Sequence, residues 1–220
     1  MKININSIAF LLLSGTILFS CNKDLLNKGP LNSLSDASVW NDPALVQSFV
    51  NDQYRGLPSW DWYDKVRGIT LSSACDESIH QYGYDGIYDM NKGALAPSNM
   101  TGFDTWSFDY GYIRKIDVFF SKIDQVPGAA DLISRMKGEM HFLRAWYYME
   151  LAERYGGIPL IVTPFQLDDN FQIPRSSYDS TVRFIVAESD SAAALLPAAY
   201  DAKELGRATR GAALALKSRI

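Results

Sequence analysis

Apolar residues recur along most of this chain every three or four positions, the period of a helix that buries one face. Leu45, Val46, Phe49, Val50 and Tyr54 form the first such set. With Ser35 or Asp36 as its cap, the pattern predicts one helix running past Asp42-Pro43 toward Tyr54 and ended by Gly56 and Pro58. A shorter helical piece is predicted over residues 66–79. Residues 80–104 then sustain no period and are punctuated by Gly83, Gly86, Gly93, Pro97 and Gly102. A long irregular loop of this kind is usually functional or disordered, and Tyr82, Tyr84, Tyr88 and Phe103 weigh against disorder.

Four longer helices follow. Asp104 is placed to cap one in which Trp106, Tyr110, Ile113, Ile116, Phe120 and Ile123 share a side, closed by Pro127-Gly128. In the next, Leu132, Met136, Met140, Leu143, Tyr147 and Leu151 form a single stripe that ends at Tyr155-Gly156-Gly157. Ile158 to Val162 is a short extended run punctuated by Pro159 and Pro164. Ser177 caps a third helix carrying Tyr178, Val182, Ile185 and Leu196, stopped by Pro197. Thr209 opens the last, Ala212-Ala213-Leu214-Ala215-Leu216, whose small residues suit close helix contact. No glycine, asparagine or proline closes that helix before Ile220, and one apolar side calls for a further partner, so the chain reads as cut short. The class is all-α: paired helices stacked as helix–turn–helix repeats, joined by long aromatic-rich loops.

The first twenty residues stand outside this pattern. Lys2 precedes an apolar stretch from Ile8 to Phe19, too short to span a bilayer and fitting a secretory signal. Leu18-Phe19-Ser20-Cys21 places a small residue directly before a cysteine, which resembles a bacterial lipobox with Cys21 as the acylated first residue of the mature chain. An ordinary signal peptide cleaved nearby is the alternative. Residues 1–20 are therefore assigned to a signal, the polar stretch 21–35 to a tether, and 36–220 to the helical domain. Acyl chains rather than a helix would then hold the protein to a membrane.

Composition narrows the partners. Of 21 basic and 25 acidic residues, only Lys2 lies in the signal, so the body is acidic and offers no basic face to nucleic acid. With Cys21 lipidated, Cys75, the other of the two cysteines, has no disulfide partner and reads as a small buried hydrophobe.

Further along, the run Lys137-Gly138-Glu139-Met140-His141-Phe142-Leu143-Arg144-Ala145-Trp146-Tyr147-Tyr148 leads through Leu151 into Tyr155-Gly156-Gly157-Ile158-Pro159-Leu160. Pro174-Arg175-Ser176-Ser177, Leu195-Leu196-Pro197 and Gly206-Arg207-Ala208-Thr209-Arg210-Gly211-Ala212-Ala213 follow in order. Together these motifs resemble the SusD/RagB family of surface nutrient-binding lipoproteins, with Met140 and Ser176 in place of commoner residues. The resemblance covers most of the chain. It implies tetratricopeptide-like helices and a longer whole protein whose C-terminal half is missing here. It also implies non-catalytic binding of oligosaccharide or another nutrient, an outer-membrane, surface-exposed location through the lipid anchor, and a SusC-like TonB-dependent transporter as partner. No cofactor is implied.

The family's contact positions vary, so the candidate ligand residues rest on composition. Sugars stack on flat aromatic faces, and Tyr and Trp add hydrogen bonds. Trp60, Trp62 and Tyr63 in the first connection, and Tyr82, Tyr84 and Tyr88 in the long loop, are the candidates; pinning loops to helices is the competing role for each. Trp146, Tyr147 and Tyr148 read as core, and Arg144 and Glu139 as structural ion pairs. A glycosidase reading of Asp76-Glu77 fails because adjacent residues on a helix diverge by about 100°. Glu77 and His80 form half of a di-iron set without its counterpart, since Gly138 stands three residues before His141. Helix capping or calcium ligation stays open for Asp76. A helical-repeat adaptor that binds protein rather than sugar is the alternative function.

Overall fold

The computed structural model describes residues 36–57, 76–77, 87–99 and 104–220. The chain divides into two units, Met1–Val39 and Trp40–Ile220; of the first, only the start of helix α1 (Asp36–Trp40) is described. The second holds α2 (Pro43–Gln53), α3 (Ile87–Asn91), α4 (Trp106–Lys122), α5 (Ala130–Tyr155), α6 (Tyr178–Leu195) and α7 (Arg210–Arg219). Among the described residues every regular element is helical, as the periodicity predicts.

Local chemistry explains most of the boundaries. The single helix expected across Asp42-Pro43 is in fact two. Pro43 disfavours helical backbone at the preceding residue, and Asp42 is extended (φ −126°, ψ 111°), its carboxylate accepting from the Ala44 amide at 2.8 Å. Pro43 thereby starts α2 at a position where the missing N–H costs nothing. Asp104 takes the Trp106 amide at 3.0 Å, Ser177 takes that of Ser180 at 3.1 Å, and Thr209 that of Ala212 at 3.2 Å. Ser177 and Thr209 are caps where the sequence places them, whereas α4 has Thr105 at its N-cap with Asp104 one residue before it. Among its described residues, the irregular stretch 80–104 contains a short helix, α3, that its weak period does not announce. There the Asn99 side chain bonds Asp89 Oδ2, Ala94 O and the Ala96 amide, folding the segment back on itself.

Asp76 and Glu77 lie exposed in a turn rather than on the helix expected over 66–79. Asp76 is of the residue type whose short side chain competes with helical hydrogen bonds and favours turns. The rest of that segment lies outside the described residues, as do residues 1–35 and Cys75.

Helix α5 is the axis of the fold. It is rich in Leu, Met, Ala, Glu and Arg, strong helix formers. Rather than one stripe, nearly its whole circumference is buried between Gly138 and Ala152. It is enclosed because neighbours pack on several sides. Against α4 it runs antiparallel: Tyr112 stacks on Tyr147 at 4.9 Å, Tyr110 meets the edge of Tyr148, and Phe120 lies 4.5 Å from His141. Against α6 it is again antiparallel, from Gly138 beside Leu195 and Leu196 to Tyr148 beside Phe184. α7 returns along α6, with Lys217 on Asp190 and Arg210 on the Ala193 carbonyl. α2 adds Val46 and Val50 to the core, and Tyr147 donates to the Gln53 carbonyl at 2.6 Å. Successive antiparallel hairpins of this kind are the helix–turn–helix arrangement expected.

Candidate ligand-binding groove

Of the residues singled out from the sequence, Cys21, Trp60, Trp62, Tyr63, Tyr82 and Tyr84 lie outside the described residues. Tyr88 is placed on α3 by its backbone alone. Asp76 and Glu77 are exposed side by side in their turn; among the described residues no cluster of three or more His, Cys, Asp or Glu is placed to hold a metal. Trp146 is half-buried and Tyr147 and Tyr148 are fully buried, as core residues should be.

The described residues do form a groove that the sequence reading misses. After α5, Gly156 adopts φ +72°, a conformation open to glycine. A Cβ on Gly157 would collide with the Ser176 carbonyl oxygen, so the chain turns against the start of α6 only with glycine there. The extended run that follows is clasped from both sides. Tyr148 Oη accepts from the Ile161 amide at 2.7 Å and donates to its carbonyl at 2.6 Å, and Tyr110 Oη donates to the Pro159 carbonyl at 2.7 Å. Further on, Arg114 Nη1 donates to the Phe165 carbonyl at 3.0 Å.

Between this clasped segment and α4 lies a cavity of about 380 Å³. Trp106, Tyr110, Phe165 and Phe171 line it with aromatic surface; Ile113, Ile161 and Ile173 add aliphatic surface, and Arg114 and Asp117 the charged groups. Trp106 packs its ring against Tyr110 at 4.9 Å and edge-on to Tyr155 at 5.2 Å, and Phe165 and Phe171 lie 5.3 Å apart. The outer wall is open to solvent: Phe171 is 61% exposed.

Beneath the groove runs a charged network that ties three helices. Arg144 of α5 reaches Glu188 of α6 through Nε (2.8 Å) and Nη2 (2.9 Å), and Asp117 of α4 through Nη1 (3.1 Å). His141 Nδ1 lies 2.9 Å from Glu188, and the Arg144 guanidinium sits 4.4 Å from the Phe120 ring centre. Burial works against the Glu188 charge, yet the hydrogen bonds from His141 and Arg144 prevail and hold its carboxyl below the usual range. At Asp117 burial wins over the attraction of Arg144, and the carboxyl is pushed up to about 7. A second network lies across the molecule. Glu139 accepts from Tyr54 Oη (2.8 Å) and Arg207 Nη1 (3.0 Å), and Arg207 also pairs with Glu204. Burial raises the Glu139 carboxyl despite these partners. Both networks join elements of the fold: α4, α5 and α6 through Arg144, and α5 with Tyr54 and Arg207 through Glu139.

The signal that marks it in the sequence is faint. Trp106 and Tyr110 stand at i and i+4 and read as one side of a core stripe; Phe165 and Phe171 lie in a proline-bounded loop 55 or more positions later. Only the Gly156-Gly157 turn brings the two sets together.

Comparison with known proteins gives a consistent result. Residues 31–220 match the SusD-like family model described as starch-binding and associating with the outer membrane. A SusD-like protein of Bacteroides fragilis superposes with a TM-score of 0.71 at 35% identity, over 87% of this chain and 37% of that one. A laminarin-binding SusD-like protein superposes with a TM-score of 0.69 at 23% identity, over 80% of this chain and 38% of the other. The SusD-like protein P38 of Formosa agariphila is 23% identical over 191 residues, 86% of this chain and 37% of the relative. The chain thus spans little more than a third of the length of these proteins.

Proposed function

The chain belongs to the SusD-like family, and from that premise we propose that it is a non-catalytic lipoprotein which captures oligosaccharide at the outer membrane for delivery to a SusC-like TonB-dependent transporter. The observation that carries this reading is the family match across residues 31–220, with its starch-binding description. An aromatic-lined groove on the same helical fold, and a laminarin-binding protein of that fold, support it. Cys21 is the proposed acylation site and residues 21–35 the tether that lets the domain stand clear of the lipid. Trp60, Trp62, Tyr63, Tyr82, Tyr84 and Tyr88 are the proposed contacts from the connecting segments.

Calorimetric titration with starch- and laminarin-type oligosaccharides tests the reading. Heat of binding that falls at least tenfold in affinity when Trp60, Trp62 and Tyr84 are replaced together by Ala is expected, with no release of shorter products. Silence across neutral and charged glycans, together with co-purification of a transporter, would replace it with a protein-binding adaptor that uses exposed apolar residues such as Leu167 and Val162.

A further inference from the structure

The groove between α4 and residues 158–173 contains a polar atom that neither helix packing nor loop closure uses. Asp117 forms part of its lining at 1% exposure. Its Oδ1 accepts from Arg144, while its Oδ2 is buried with no hydrogen-bond partner among the described residues. A carboxylate oxygen withdrawn from water without a donor is costly. A ligand O–H or N–H entering the groove would supply that donor.

The surrounding charges decide between donors. Asp117 and Glu188 face Arg144 from two sides, and Arg114 stands at the rim with Nη1 on the Phe165 carbonyl. An ammonium group would meet the Arg114 guanidinium in the lining, with Arg144 already paired to Asp117 Oδ1 behind it, and an anion would meet the Asp117 carboxyl group itself. A neutral hydroxyl meets neither penalty. The walls match the rest of such a ligand, because Trp106, Tyr110, Phe165 and Phe171 offer flat faces to the C–H side of a ring. At about 380 Å³ the cavity lies near the lower end of the roughly 300–1,000 Å³ of small-molecule pockets, room for a terminal unit rather than a length of polymer.

We infer that this groove is a subsite for one neutral sugar ring, held among the four aromatic side chains with a ring hydroxyl donating to Asp117 Oδ2. The inference rests on the glycan-binding reading above and adds to it a subsite built from residues other than the aromatics of residues 60–88.

The test is calorimetric titration of the full chain with neutral oligosaccharides, comparing wild type, Phe171→Ala, Asp117→Asn and the Trp60/Trp62/Tyr84 triple-alanine variant. Circular dichroism melts accompany each, and Phe171, being largely exposed, can lose its ring without disturbing the core. Phe171→Ala is expected to weaken binding about tenfold. With the titration run at about pH 8.5, above the Asp117 carboxyl, Asp117→Asn is expected to weaken it by a similar factor, because a neutral amide replaces a charge-assisted acceptor. Affinity kept within about twofold in both variants, with binding lost in the triple variant, would overturn the groove subsite and leave the glycan reading standing. Absence of heat with every oligosaccharide in the wild type would overturn both. An apolar peptide that binds the wild type and not Phe171→Ala, where sugars leave both unchanged, would reassign the groove to a protein partner.

Discussion

Arg144 holds carboxylates from two other helices, and each of those carboxylates is nine-tenths or more buried. Removing the cation leaves the Glu188 charge, and above about pH 7 the Asp117 charge as well, without compensation, the case in which a buried pair matters most. Arg144→Ala is expected to destabilise the fold by about 3–5 kcal/mol in urea denaturation, and Arg144→Lys to recover only part of that, because an ammonium cannot reproduce the two-pronged contact with Glu188. The sequence reading identifies Arg144 and Glu139 as structural ion pairs. It does not supply the partners, which lie 27 and 44 positions from Arg144 and 68 from Glu139. Asp117 carries a pH signature. Its carboxyl is raised to about 7 by burial, so between about pH 4 and 7 the folded state keeps a proton that the unfolded chain has released. The stability this group contributes is complete below pH 4 and is lost as the pH rises through 7. The melting temperature of Asp117→Asn relative to wild type is therefore expected to climb by several degrees from pH 4 to pH 8. A difference that stays level with pH would count against the raised carboxyl.

At the scale of elements, short-range chemistry sets where each helix begins and how it turns. Ser177, which bonds the Ser180 amide, caps α6 at the point where Glu188 must come into register with Arg144. Ser177→Ala is expected to cost about 1 kcal/mol by chemical denaturation, the usual value of such a cap. A loss below about 0.3 kcal/mol would mean that packing of α6 against α5 sets its register alone. These caps were legible because they need residues only two or three positions apart. The break at Pro43 was equally local, but the periodic set Leu45 to Tyr54 begins after it and so does not mark where the helix starts. α3 escaped because its five residues are too few for a period, and it closes through the Asn99 side chain.

At the scale of the molecule, the proposed anchor and the binding surface make separable predictions. Cys21→Ser is expected to move the protein from the membrane fraction to the soluble fraction and to abolish incorporation of labelled palmitate, while calorimetric affinity for oligosaccharide is unchanged. Retention at the membrane without acylation would mean that something other than a lipid holds it.

Periodicity, caps and the Gly156-Gly157 turn follow from interactions spanning a handful of residues, and these determine an all-α chain of antiparallel hairpins from the sequence by itself. The motif resemblance carries the family on the same footing, since its residues are contiguous runs. The groove and the two charged networks are decided by tertiary structure. Trp106 and Phe165, Asp117 and Arg144, and Tyr54 and Glu139 meet only once α5 is enclosed by its neighbours. Enclosure also turned one expected stripe on α5 into burial on nearly every side. A side chain's spacing along the chain shows which residues share a face; it carries no information about how many neighbours that face will meet.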